Sequence, residues 1–263
     1  MTGRRFVAPF ALLIASVLAL PACGAPASPG TGPRVGGRLT VFAASSLTDA
    51  FAAVGKALER RHPGLQVRFN VTGTPTLVAQ IRDGAPADVI AAAEEDALRS
   101  LHSEGVLREA PELFTSNHLT IIVQPGNPGG IHELADLARP GLLVALAAPD
   151  VPAGRLAREV FRRAGLTPPE ASLEASARGV LAKVALGEVD AGVVFVTDAR
   201  AGGDRVRSIA IPDSLRLVAR YSIGIVREAP NPGGARAFVD AVTSTSGRRV
   251  LARFGFLPVT PGT

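Results

Sequence analysis

Short apolar runs alternate with segments of helical periodicity along most of the chain, and that alternation limits what the chain can fold into. Residues 39–44 (LTVFAA) suit a buried strand. Leu47, Ala50, Phe51, Val54 and Leu58 then recur at helical spacing, and the pattern stops at His62-Pro63-Gly64. Residues 65–71 alternate as a strand. Residues 76–82 read as a short helix closed by Gly84, 88–92 as a buried strand, and 94–103 as a helix whose leading acids suit its positive end. Further strands are expected at 119–124, 142–147, 191–196 and 215–226, and further helices at 155–164, 178–186, 235–243 and 247–254. Strands that return between helices make an α/β fold with mainly parallel sheet.

One internal echo bears on organisation. Ile121-Ile122-Val123 leads to Asn127-Pro128-Gly129-Gly130 and then an expected helix. Ile223-Gly224-Ile225-Val226 leads to Asn231-Pro232-Gly233-Gly234 and another. Two similar strand exits this far apart fit a chain that crosses twice between two lobes, although Pro and Gly suit turns generally.

The N-terminus reads as a targeting segment. Arg4 and Arg5 precede residues 6–20, which are almost wholly apolar and too short for a comfortable membrane span. Leu20-Pro21-Ala22-Cys23 resembles the bacterial lipobox, which implies cleavage before Cys23 and lipid attached to it. The alternative is an ordinary secretory leader with a chance cysteine. Cys23 is the only cysteine among 263 residues, so no intramolecular disulfide can form. The following GAPASPGTGPRVGG is too poor in apolar surface to fold and reads as a tether.

Charge excludes one class of partner. The formal charge of +5 comes from dispersed arginines, with Lys56 and Lys183 the only lysines. There is no basic stripe with interleaved aromatics, so nucleic acid is not an expected partner. Nor does a catalytic pattern emerge. His62, His102, His118 and His132 are scattered, His132-Glu133 lacks the second histidine of a zinc protease motif, and no Gly-x-Ser-x-Gly elbow occurs.

What recurs instead is a polar or Gly-containing turn that opens a helix: Ala44-Ser45-Ser46-Leu47, Thr72-Gly73-Thr74-Pro75, Val151-Pro152-Ala153-Gly154 and Ser176-Ala177-Arg178-Gly179. Each offers free backbone N–H groups, some beside hydroxyls. In open α/β sheets ligands sit beyond the carboxyl ends of the strands, so converging turns of this kind would surround one small anion with neutral donors. The alternative for any single turn is plain helix capping. A fully deprotonated tetrahedral oxyanion presents only acceptors and matches such a shell.

The stretches VFAASSLTDAF, NVTGTPTLVAQI with GAPADVIAAA, VPAGRLAREVF, ARGVLAKVALGEVDAGVVFVTDA and RRVLARFGFLP together resemble the periplasmic molybdate-binding proteins that serve ABC importers. That resemblance implies a two-lobe periplasmic binding protein fold, each lobe a mainly parallel sheet flanked by helices, joined by two crossing strands near 119–123 and 222–226. It divides the chain into a signal peptide at 1–22, a lipidated Cys23 with its tether at 23–37, lobe 1 at 38–120 and 226–260, and lobe 2 at 121–225.

Position by position, the resemblance implies ligand contacts from Ser46, from Thr74 where the family usually has serine, and from the backbone N–H groups of Ala153 and Ala177. Ser46 would then be both helix cap and ligand donor, with Ser45 beside it as a further candidate. Phe195 stands where the family commonly has a tyrosine whose hydroxyl reaches the anion. Either affinity is lower, or Ser45, Thr197 or a water fills in for that bond, or the preferred anion differs. The implied ligand is molybdate or tungstate, held as an oxyanion with no cofactor and no protein-ligated metal ion. The implied partners are a permease, an ATPase and, through Cys23, the extracytoplasmic face of the cell membrane. The protein would be a monomer and not an enzyme. Sulfate or another oxyanion, a sensor without a transport partner, and an enzyme on the same scaffold stay as alternatives.

Overall fold

Nine strands and eight α-helices follow one another in the computed structural model, which describes residues 2–3 and 35–259. Cys23 and nearly all of the expected signal peptide and tether lie outside the described residues. The strands are β1 (Gly37–Ala44), β2 (Leu65–Thr72), β3 (Val89–Ala92), β4 (Glu112–Val123), β5 (Val144–Ala147), β6 (Glu170–Glu174), β7 (Ala191–Phe195), β8 (Arg207–Ile209) and β9 (Val218–Ile225). The helices are α1 (Thr48–Arg61), α2 (Thr74–Arg82), α3 (Glu95–Ser103), α4 (Pro152–Ala164), α5 (Ala177–Leu186), α6 (Val196–Gly202), α7 (Pro232–Thr243) and α8 (Thr245–Arg253).

The strand order is β2-β1-β3-β9-β4-β7-β5-β6, with β8 also on β4. β1 runs parallel to β2 and β3, and β5 parallel to β6 and β7. All pairings of β4 and β9 are antiparallel. The sheet is thus parallel at each end and antiparallel in the middle, where the chain passes between the halves. Helices cover both faces of the first half, which is why β1 and β3 read as continuous apolar runs.

β4 does the crossing. Residues 112–118 pair with β9, and residues 119–123 pair with β7 and β8. The apolar signal at 119–124 marks only its second half. The first half hides behind Thr115, Ser116 and Asn117, which are polar yet buried. Thr115 and Ser116 donate to the carbonyls of Leu257 and Pro258, which ties the C-terminal segment to the crossing. β9 makes the return, and residues 222–225 pair with β3.

The two Asn-Pro-Gly-Gly stretches do different work. Asn231 caps α7, its side chain accepting from the Gly234 N–H at 2.9 Å. Asn127 sits at φ +52° and closes a tight turn with both amide atoms on Ile131. No α-helix follows it; a 3-10 turn at Leu134–Ala138 does. The expected first helix of the echo is therefore absent, because left-handed Asn127 and Gly130 turn the chain back.

The first-half core is aromatic. Phe51 of α1 meets Phe238 of α7 edge-on at 5.2 Å and Phe114 of β4 at 5.9 Å. On the opposite face Leu77 and Ile81 of α2 pack with Leu98 and Leu101 of α3. Tyr221 of β9 lies at the junction, with its ring 5.4 Å from Phe256 and 5.9 Å from Phe195.

Candidate functional site

Four helix starts converge on one small cavity. β1 ends at Ala44 and turns through a 3-10 segment, Ser45–Leu47, into α1. β2 passes through Gly73 into α2. α4 starts after β5 and α5 after β6. Between them lies a small cavity lined by Ser45, Ser46, Thr74, Ala153, Ala177 and Phe195, and also by Ala44, Thr72, Gly73, Ala93, Val151 and Pro152. All six residues nominated from the sequence are brought together here. None of the twelve lining residues is charged.

The serines do not cap the helix. Neither the 3-10 segment nor α1 has a side-chain cap, which corrects the capping role expected for Ser46. Ser45 contributes its carbonyl, accepting from the Thr48 hydroxyl at 2.6 Å. Ser46 Oγ lies 2.8 Å from the Tyr221 hydroxyl, and both residues are buried. The hydroxyl of Thr74 accepts from the Ala93 N–H at 3.2 Å, so its own proton is not used in that bond.

Backbone donors complete the lining. In α4 the first helical bond from this end is Arg155 N–H to the Val151 carbonyl, so Ala153 N–H precedes the ladder. In α5 the Ser176 side chain accepts from Gly179 N–H, and Val180 N–H bonds the Ser176 carbonyl, which leaves Ala177 N–H ahead of them. Proline at the start of α2 and α4 suits a position with no helical acceptor. Small side chains at 153 and 177 let the backbone reach the cavity. Gly73 has a sharper reason: a Cβ there would fall 2.4 Å from the Ala175 carbonyl oxygen.

Phe195 ends β7 with its ring against that of Tyr221. Thr197, a candidate to replace the missing tyrosine hydroxyl, accepts from Asn117 Nδ2 at 2.9 Å and is not part of the lining. Tyr221 was missed from sequence. A usable signal existed, since it is the only tyrosine of the chain and sits in a β-prone run, where a buried hydroxyl needs a partner.

Charge stands one layer back. Arg178, directly after Ala177, donates to Asp49 of α1 at 2.5 Å and to Asp198 of α6 at 2.7 Å. Burial pushes the Asp198 carboxyl up to about 6, although Arg178 opposes that shift. Burial would lower Arg178, but Asp198 and Asp49 more than offset it and its pKa is raised. Arg155 of α4 pairs with Glu94 at 2.7 Å. Among the described residues no group of three or more His, Cys, Asp or Glu side chains could hold a metal ion, and no helix is long and apolar enough to cross a membrane.

Residues 39–257 match the family of bacterial extracellular solute-binding proteins. The chain belongs to that family. It is 38% identical to the molybdate-binding protein ModA of Mycobacterium tuberculosis over 249 residues, which is 94% of each chain. Among solved structures, the periplasmic molybdate-binding protein of Azotobacter vinelandii superposes with a TM-score of 0.75 at 18% identity, covering 85% of this chain and 100% of that one. The sulfate-binding protein SubI of Mycobacterium tuberculosis gives 0.73 at 20% identity, covering 85% and 88%. These likenesses show the two-lobe periplasmic binding protein fold.

Proposed function

We propose that this protein captures molybdate, and tungstate with it, between two lobes and delivers the anion to the permease and ATPase of an ABC importer. Lobe 1 comprises residues 38–120 and 226–260 and lobe 2 residues 121–225, with β4 and β9 as the connecting strands. The anchor is lipid on Cys23 after removal of residues 1–22, which keeps the protein, as a monomer, at the extracytoplasmic face of the membrane.

One observation carries the reading. Ser46, Thr74, Ala153 and Ala177, drawn from four separate turns, line one cavity that has neutral donors and no charged side chain. A dianion in such a shell is stabilised by aligned N–H and O–H dipoles and needs no fixed counter-charge. The 38% identity to a molybdate-binding protein supports molybdate as the anion.

Phe195 favours a second reading, in which sulfate is the ligand. Its ring supplies no hydroxyl, so the donor count at that wall is lower by one, and SubI shares the fold.

A thermal-shift comparison with molybdate, tungstate, sulfate and phosphate separates the two. A ligand at about a thousand times its dissociation constant stabilises by roughly 4 kcal/mol. Stabilisation by molybdate and tungstate alone is the expected result. Stabilisation by sulfate alone would replace the ligand, and none with any anion would remove the proposal. Partition of Cys23→Ala out of the membrane fraction tests the anchor.

A further inference from the structure

A buried pair of hydroxyls at the cavity wall fixes where protons point. Ser46 Oγ lies 2.8 Å from the Tyr221 hydroxyl and is its one hydrogen-bond partner among the described residues. The Tyr221 ring lies edge-on to the rings of Phe114, Phe195 and Phe256, which offer that hydroxyl no acceptor oxygen. Both members of the pair are buried.

The inventory of donors settles the direction. Tyr221 is fully buried and Ser46 Oγ is the one acceptor its hydroxyl meets, so a phenol proton not given to Ser46 would be a buried donor without a partner, which is costly. The single Tyr221 proton therefore goes to Ser46 Oγ. Ser46 then accepts from Tyr221, and its own single proton has the cavity as its outlet. Were the polarity reversed, Ser46 would spend its proton on Tyr221 and turn a lone pair toward an anion.

We infer that Tyr221 is a positioning residue for the anion site: it donates to Ser46 Oγ and thereby aims the Ser46 proton into the cavity. The inference rests on the cavity being the oxyanion site proposed above. It also bears on Phe195. The tyrosine hydroxyl that resembling proteins place at the cavity wall is missing here, while a hydroxyl from the neighbouring ring, on the return strand β9, works one atom further back.

The chain holds one tyrosine and no tryptophan, so its near-ultraviolet tyrosine band reports Tyr221 alone. A phenol that donates a hydrogen bond absorbs at longer wavelength than one that does not. In the unliganded protein, Ser46→Ala should therefore move the band to shorter wavelength. A shift to longer wavelength, or none, overturns the inferred direction whether or not the anion assignment holds.

Molybdate titrations of the wild type, Tyr221→Phe, Ser46→Ala and the double variant form the second arm. Tyr221→Phe should weaken binding about five- to tenfold, the cost of one hydrogen bond's worth of orientation. It should have no further effect once Ser46 is alanine. An unchanged affinity in Tyr221→Phe, or the same loss in both backgrounds, would overturn the positioning role. Failure of the wild type to bind molybdate overturns the ligand assignment instead, and the absorption arm still decides the polarity of the Tyr221–Ser46 bond.

Discussion

Arg178 joins Asp49 and Asp198 through one guanidinium, with Nη2 2.5 Å from Asp49 Oδ2 and Nε 2.7 Å from Asp198 Oδ1. Asp49 belongs to the helix that follows Ser46, and Asp198 to the helix that follows Phe195. One side chain thus braces two walls of the cavity from behind without bringing its charge into the lining.

The two halves of this bridge are unequal. Asp198 is fully buried, whereas the Asp49 side chain is 44% exposed. Arg178→Ala should therefore cost about 3 kcal/mol in urea unfolding near neutral pH, because it strands a buried carboxylate. Asp49→Ala should cost under about 1 kcal/mol, as a partly exposed pair does. Equal losses would mean that Asp198 does not depend on Arg178.

Asp198 also sets a pH dependence. Its carboxyl titrates at about 6 in the folded protein against an ordinary 3.8, with burial as the main cause and Asp49 adding to it against the pull of Arg178. Between those values the unfolded chain has released this proton and the folded chain keeps it. The stability this group contributes is therefore complete below about pH 4 and is lost as pH rises through about 6. Asp198→Asn removes that titration. The melting temperature of the wild type relative to this variant should fall from pH 4 to pH 7, and a constant difference would contradict the assignment.

Gly73 stands where the turn into α2 meets the Ala175 carbonyl at the approach to α5. With a Cβ 2.4 Å from that oxygen, Gly73→Ala should force the two turns apart. Its expected cost is about 1–3 kcal/mol in chemical denaturation, the usual penalty for overpacking. Wild-type stability would show that the two turns do not approach this closely.

Phe195→Tyr should place a hydroxyl at the cavity wall, beside donors already present. Molybdate affinity should hold or rise, by up to about tenfold for one added hydrogen bond. Calorimetric titration checks this, and a large loss would mean that the wall faces the anion differently.

The lining of the candidate cavity was more legible in the sequence than the topology around it. Its parts are local: a strand exit, a small residue and a free N–H at a helix start can be read within four residues, as at Ala153 and Ala177. Tyr221 could not be read that way, because its partner Ser46 is 175 positions distant. The first half of β4 was missed for a related reason. Thr115, Ser116 and Asn117 look like loop residues until the C-terminal segment and α6 supply their hydrogen-bond partners. The edge strand β6 and the three-residue β8 are too exposed or too short to leave an apolar pattern. At Val196 the chain leaves β7 and enters α6 at once, so an apolar run extended the expected strand by one residue.

The most direct test is calorimetric titration of the purified protein with molybdate, beside Ser46→Ala. The account predicts one anion per chain in the wild type. It predicts at least about tenfold weaker binding in the variant, the cost of a hydrogen bond to a charged group, with the variant still folded. Wild-type affinity in Ser46→Ala would place the anion outside this cavity and contradict the account.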